Sequence, residues 1–131
     1  MFNLVKQLCC GGFGLDRVVR VYPNSCVEKI IAGIPRGHYH LRMAIVLRDQ
    51  VIVLHEATVA AIVRAYASVA IHPTRKGVVY SCRRLSKGEK KHGFAEYQLV
   101  EDTSYSEDDA VYTIEEFLEK GVYCDKVCKS R

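Results

Sequence analysis

Two β-rich runs, residues 39–47 and 51–56, flank the short polar stretch Arg48-Asp49-Gln50 and impose a hairpin on the middle of the chain. Strands alternate their side chains between faces, so the pairing fixes what each face can meet. With Asp49-Gln50 as a two-residue turn, Leu47 faces Ile52, Ile45 faces Leu54 and His55 faces Ala44. One face then carries Leu41, Met43, Ile45, Leu47, Ile52 and Leu54, which is a core face. The other carries His40, Arg42, Ala44, Val46, Arg48, Val51, Val53 and His55, a mixed surface suited to solvent or to a partner.

The rest of the chain is read around that hairpin. Residues 1–8 suit a short helix, with Phe2, Val5 and Leu8 on one side and Gly11-Gly12 beyond its end. Residues 16–22 suit a strand stopped by Pro23. Ser25 and Glu28 have capping-box spacing and predict a short helix closed by Gly33 and Pro35. After the hairpin, Val59, Ile62, Val63, Tyr66 and Val69 recur at helical spacing and predict a helix over 57–71, ended by His72-Pro73. Residues 78–85 and 94–101 predict a second hairpin around the basic loop 86–92, with Val78, Tyr80 and Cys82 sharing a face with Ala95, Tyr97 and Leu99. A last helix starts near Ser106 with acids in its first turn, where the helix dipole favours them. It buries Ala110, Val111, Ile114, Phe117 and Leu118 and stops at Gly121.

The expected order is strand, short helix, hairpin, helix, hairpin, helix. That is an α+β fold with an antiparallel sheet of about five strands and helices packed on one face. A chain of 131 residues is one domain in size, here 1–131, with 1–15 and 122–131 expected as flexible ends. Hydrophobic residues at 49% and charged residues at 26% are values of a globular chain, and no apolar run is long enough to span a membrane. No secretory leader is recognisable at the start, so an intracellular, cytoplasmic setting is expected, with the six cysteines mainly as thiols.

Charge is unevenly spread beneath the net +4. Between Arg36 and His92 eleven Lys or Arg stand against Asp49, Glu56 and Glu89, whereas residues 93–119 hold nine acids and no base. Such asymmetry marks either a binding face or a self-complementary surface.

Four constellations bear on chemistry. His38-Tyr39-His40 puts two imidazoles on one side of an extended segment, a common start to a metal site. The assumed register leaves His55 roughly 13 Å from His40, too far to complete a ligand set. Cys9-Cys10 and Cys124 with Cys128 lack the usual zinc spacing, and Cys9 or Cys10 beside a small apolar segment could instead carry an acyl chain. Cys82 falls on the apolar face of a strand, where a cysteine is a small buried hydrophobe and not a nucleophile. No nucleophile elbow, phosphate loop or dinucleotide fingerprint is present, so neither catalytic residue nor cofactor is expected. Arg75, Lys76, Arg83, Arg84, Lys87, Lys90 and Lys91 cluster on the second hairpin near Tyr80 and Phe94, which suits phosphates and stacked bases of RNA or single-stranded DNA. Arg83 could equally pair across the strands with Glu96.

The leading expectation is a small non-catalytic interaction or adaptor module, its partner a protein or an assembly of copies, bound through His40, Arg42, Arg48 and His55. The alternatives are nucleic-acid binding by the second hairpin and a small metal-dependent enzyme centred on His38 and His40.

Overall fold

A computed structural model of the chain describes residues 17–88 and 95–124. Within them the protein is mixed α and β, with strands β1 (Arg20–Val21), β2 (Val27–Gly33), β3 (Arg42–Leu47), β4 (Val51–His55), β5 (Tyr80–Arg84), β6 (Tyr97–Glu101) and β7 (Val122–Tyr123). The helices are α1 (Glu56–Tyr66), which runs on as a π-helical turn over Ala67–Ile71, and α2 (Glu107–Lys120). The strands form three sheets and not one sheet of five: β2-β3-β4 antiparallel, β5-β6 antiparallel, and β1 beside β7 in parallel. The expected N-terminal helix and acylation site at Cys9 or Cys10 lie outside the described residues, as do Lys90, Lys91, Phe94 and Cys128.

By contacts the chain divides into two compact units. The first holds Val18–Val59 and the chain from Thr113 onward; the second holds Ala60–Tyr112.

The first unit is built on β2-β3-β4. Where the capping-box spacing predicts a helix, the chain makes only one 3-10 turn, Asn24–Cys26, and then enters β2. Val27, Ile30 and Ile31 are β-branched, and pairing of β2 with β3 from Gly33↔Arg42 to Val27↔Leu47 outweighs the weak local cap. A bulge between Val27 and Lys29 marks the entry.

The β3-β4 hairpin forms as expected but two residues out of register. Its loop is Arg48-Asp49, closed by the Leu47 N–H donating to the Gln50 carbonyl at 2.8 Å. Ile45 therefore faces Ile52, Met43 faces Leu54 and Arg42 faces His55. A shift of two keeps every side chain on its face, so Met43, Ile45, Ile52 and Leu54 still share one side. The loop is held from outside: the Tyr22 hydroxyl donates to Asp49 Oδ1 at 2.9 Å, Gln50 Nε2 donates to the Tyr22 oxygen at 2.7 Å, and Arg20 pairs with Asp49.

Beside the sheet, β7 runs parallel to β1, the Val122 N–H donating to the Val19 carbonyl at 2.7 Å and the Cys124 N–H to that of Val21 at 2.9 Å. Gly121 ends α2 without a left-handed φ. What the position requires is closeness: a Cβ there would lie 2.6 Å from Val21 Cγ2 and 2.7 Å from the Phe117 carbonyl oxygen.

Cys26 and Cys124 form a disulfide across 98 residues of sequence. Cys82 is also disulfide-bonded. The expectation of thiols therefore fails for every described cysteine. It rested on the presumed compartment, and spacing alone could not bring residues so far apart together.

In the second unit, β5 pairs with β6 so that Tyr80, Cys82 and Arg84 face Glu101, Leu99 and Tyr97, close to the expected hairpin. Arg64 of α1 reaches these strands, donating to the Leu99 carbonyl at 3.0 Å and lying over the Tyr80 ring. Gly77 passes the first turn of α2, where a Cβ would meet the Glu107 carbonyl oxygen at 2.8 Å. The buried residues Ala61 and Ala110 belong here, Cys26 and Leu47 to the first unit. Small side chains dominate this list, and the stripes expected to be buried on both helices are largely open: Ile62, Val63 and Tyr66 on α1, and Ile114, Phe117 and Leu118 on α2, are exposed.

Candidate interaction surface

The observed register assembles the mixed sheet face from three strands. Across it run the rows Lys29, Val46, Val51; then Ile31, Ala44, Val53; then Gly33, Arg42, His55. Directly opposed residues in an antiparallel sheet point the same way, so these nine share one face. Val51 and Val53 are each 58% exposed and Ile31 53%. Ala44 and Val46, between them, are half-buried. The middle of the face is thus apolar and open, with Lys29 at one end and Arg42 with His55 at the other.

Of the four residues expected to bind a partner, the fold sets Arg42 directly opposite His55. His40 lies before β3, its Nδ1 3.3 Å from Glu56 Oε2 at the start of α1. Glu56 Oε1 also accepts the Leu41 N–H at 2.7 Å. Those two hydrogen bonds, the backbone one foremost, hold the Glu56 carboxyl below the usual range, with the Arg42 charge adding to the effect. The Arg42 guanidinium donates to the carbonyls of His40 and Leu41, which fixes its position at the end of the sheet. Arg48 stands apart, in the loop at the opposite end of the hairpin, with its backbone N–H on the Cys26 carbonyl at 3.0 Å. Arg42, His55 and His40 therefore belong to one end of the surface, and Arg48 does not.

The short helix expected between Ser25 and Gly33 hides Lys29 and Ile31. The signal that exposes them is the β-branched content of Val27, Ile30 and Ile31, which outweighs a cap of only one serine and one glutamate.

The metal reading gains no ligands. His38 lies in the exposed turn around Gly37, its N–H donating to the Pro35 carbonyl. The true register brings His55 two residues nearer to the His40 end than expected. Even so, no group of three or more His, Cys, Asp or Glu able to hold a metal occurs among the described residues.

Two of the described basic residues near the second hairpin are already paired with carboxylates. Arg75 is ion-paired with Glu101 and Arg84 with Glu96 at 2.5 Å. Glu96 pairs with Arg84, while Arg83 stands opposite Gln98. Lys76 and Lys87 are exposed. Adjacent strand residues diverge, so Arg83 and Arg84 cannot grip one phosphate from the same side.

The chain matches no family model, no curated protein and no solved structure. No helix among the described residues is long and apolar enough to cross a membrane.

Proposed function

We propose that the chain is a non-catalytic interaction module whose β2-β3-β4 face receives a protein partner. One observation carries the reading: Ile31, Val51 and Val53 form an open apolar strip on an ordered sheet, bordered by Lys29, Arg42 and His55. Contiguous exposed apolar surface costs solubility and marks contact sites when polar residues rim it. The basic border favours a partner that offers an apolar strip flanked by carboxylates, since complementary charge speeds encounter and rejects wrong partners. Strand side chains give the surface well-fixed positions. The ion pairs of Arg75 and Arg84 make nucleic-acid binding the weaker reading, because carboxylates already occupy those cations.

The test compares proteins captured by the wild-type chain and by a Val51→Glu, Val53→Glu double variant, with the variant's folding checked by circular dichroism. Partners recovered by the wild type and lost with the variant support the sheet face. Equal recovery by both, or no specific protein with either, overturns it.

A further inference from the structure

We infer that the Cys26–Cys124 disulfide is a structural closure made in an oxidising compartment, and that the first unit depends on it to hold β7 in place. This reading stands apart from the partner proposed above and replaces the cytoplasmic expectation.

Three observations lead there. The first is burial. Cys26 is 0% exposed, a small side chain that is fully buried. A reductant must reach a sulfur to attack it; the Cys26 side is closed and only the half-buried Cys124 side is open, which slows reduction and suits a structural link. The second is need. β1 and β7 pair over only two residues each, and two short strands do not hold together in water by themselves. Apart from Cys26, the first unit buries only Leu47 below one-tenth exposure among the described residues. Leu47 and Val27 are opposite each other, and the Arg48 N–H donates to the Cys26 carbonyl. The bond thus ties Cys124, directly after β7, to the small apolar centre beside β2 and β3. The third is company. Cys82 is disulfide-bonded as well, so no described cysteine is a thiol. Reducing compartments keep cysteines as thiols, and small domains that lack a large core use disulfides where the surroundings are oxidising.

Bond formation balances by thiol–disulfide exchange. The thiolate of one cysteine attacks the disulfide of an oxidoreductase and forms a mixed disulfide. The second cysteine then displaces the enzyme. The Cys26–Cys124 bond takes the place of the enzyme's own, two electrons pass to the enzyme, and the two protons of the original thiols end on its dithiol.

The test traps thiols with N-ethylmaleimide in the living source cells before lysis, and then maps peptides of the full chain without reductant. The expected result is a linked Cys26–Cys124 peptide without maleimide. Maleimide on both residues overturns the inference. A second measurement covers stability. The Cys26→Ala, Cys124→Ala variant is expected to unfold at least about 10 °C below the wild type. Its amides at positions 122 and 124, bonded to the Val19 and Val21 carbonyls in the wild type, are expected to exchange freely. A midpoint within about 2 °C of the wild type overturns the dependence, since that is below what a lost structural disulfide produces. If the variant does not fold, the dependence is met and the peptide map decides the compartment.

Discussion

Ser106 and Asp109 cap α2 reciprocally: the Asp109 N–H donates to Ser106 Oγ at 3.0 Å, and the Ser106 N–H donates to Asp109 Oδ2 at 2.9 Å. Two of the donors that a helix start leaves without intrahelical partners are thereby satisfied. Replacing Ser106 by Ala removes one acceptor and is expected to cost about 1 kcal/mol, seen as a fall of a few degrees in the unfolding midpoint. Replacement by Asp, which also caps well, is expected to restore most of the loss. An unchanged midpoint in the alanine variant means that α2 does not rely on its cap.

The same pair carries a pH dependence. The hydrogen bond from the Ser106 N–H, followed by that involving its hydroxyl, lowers the Asp109 carboxyl below its ordinary value. The Leu41 N–H and His40 do the same for Glu56. A depressed carboxyl contributes stability that is present above its unfolded pKa and is lost as pH falls through the folded one. Stability is therefore expected to decline as pH falls below about 5. Carboxyl titration by NMR is expected to place Asp109 and Glu56 below the same residues in an unfolded peptide. The Asp109→Asn variant is expected to show a shallower decline, and a parallel decline removes Asp109 as a contributor.

Gly121 and Gly33 form a controlled comparison. A Cβ at Gly121 meets a backbone oxygen at 2.7 Å, which cannot retreat without moving α2, whereas one at Gly33 meets nothing within 4 Å. Gly121→Ala is expected to destabilise by about 1–3 kcal/mol, as overpacking does. Gly33→Ala, at the end of β2, is expected to be neutral or to stabilise by about 0.5 kcal/mol. Denaturant midpoints measured side by side check both, and equal effects remove close approach as the reason for glycine at 121.

The open sheet strip predicts a separation of stability from surface behaviour. Ile31→Thr and Val53→Thr keep β-branching while adding a hydroxyl at positions more than half exposed. Each is expected to change stability by no more than about 0.5 kcal/mol. Together they are expected to reduce binding of a hydrophobic dye and of any partner. A large stability loss means that the strip is covered within the folded chain.

Sequence patterning made α1, α2 and both hairpins legible because each combines a clear period with a clear stop: the stripe from Val59 to Val69, the acids after Ser106, and the polar turn at Asp49. Register was harder. Arg48-Asp49 and Asp49-Gln50 are equally good two-residue loops locally, and contacts from Arg20 and Tyr22 accompany the observed one. β2 was misread because a cap is a local signal, whereas strand pairing with β3 is not. The parallel β1-β7 pair and the Cys26–Cys124 link were invisible for the same reason, since nothing within a window of neighbours brings Val21 beside Tyr123. Of the partner face, Arg42 and His55 were visible as hairpin residues, and Lys29 and Ile31 were lost with β2.

The Cys26–Cys124 bond turns 98 residue steps of chain into a closed covalent loop. A single protease cut at the exposed Lys87-Gly88 segment would open that loop without releasing a fragment. The nicked molecule would gain only one water in mass under non-reducing conditions, and the two pieces would part only after reduction. Ring closure thus gives the chain a tolerance to cleavage that an open polypeptide lacks.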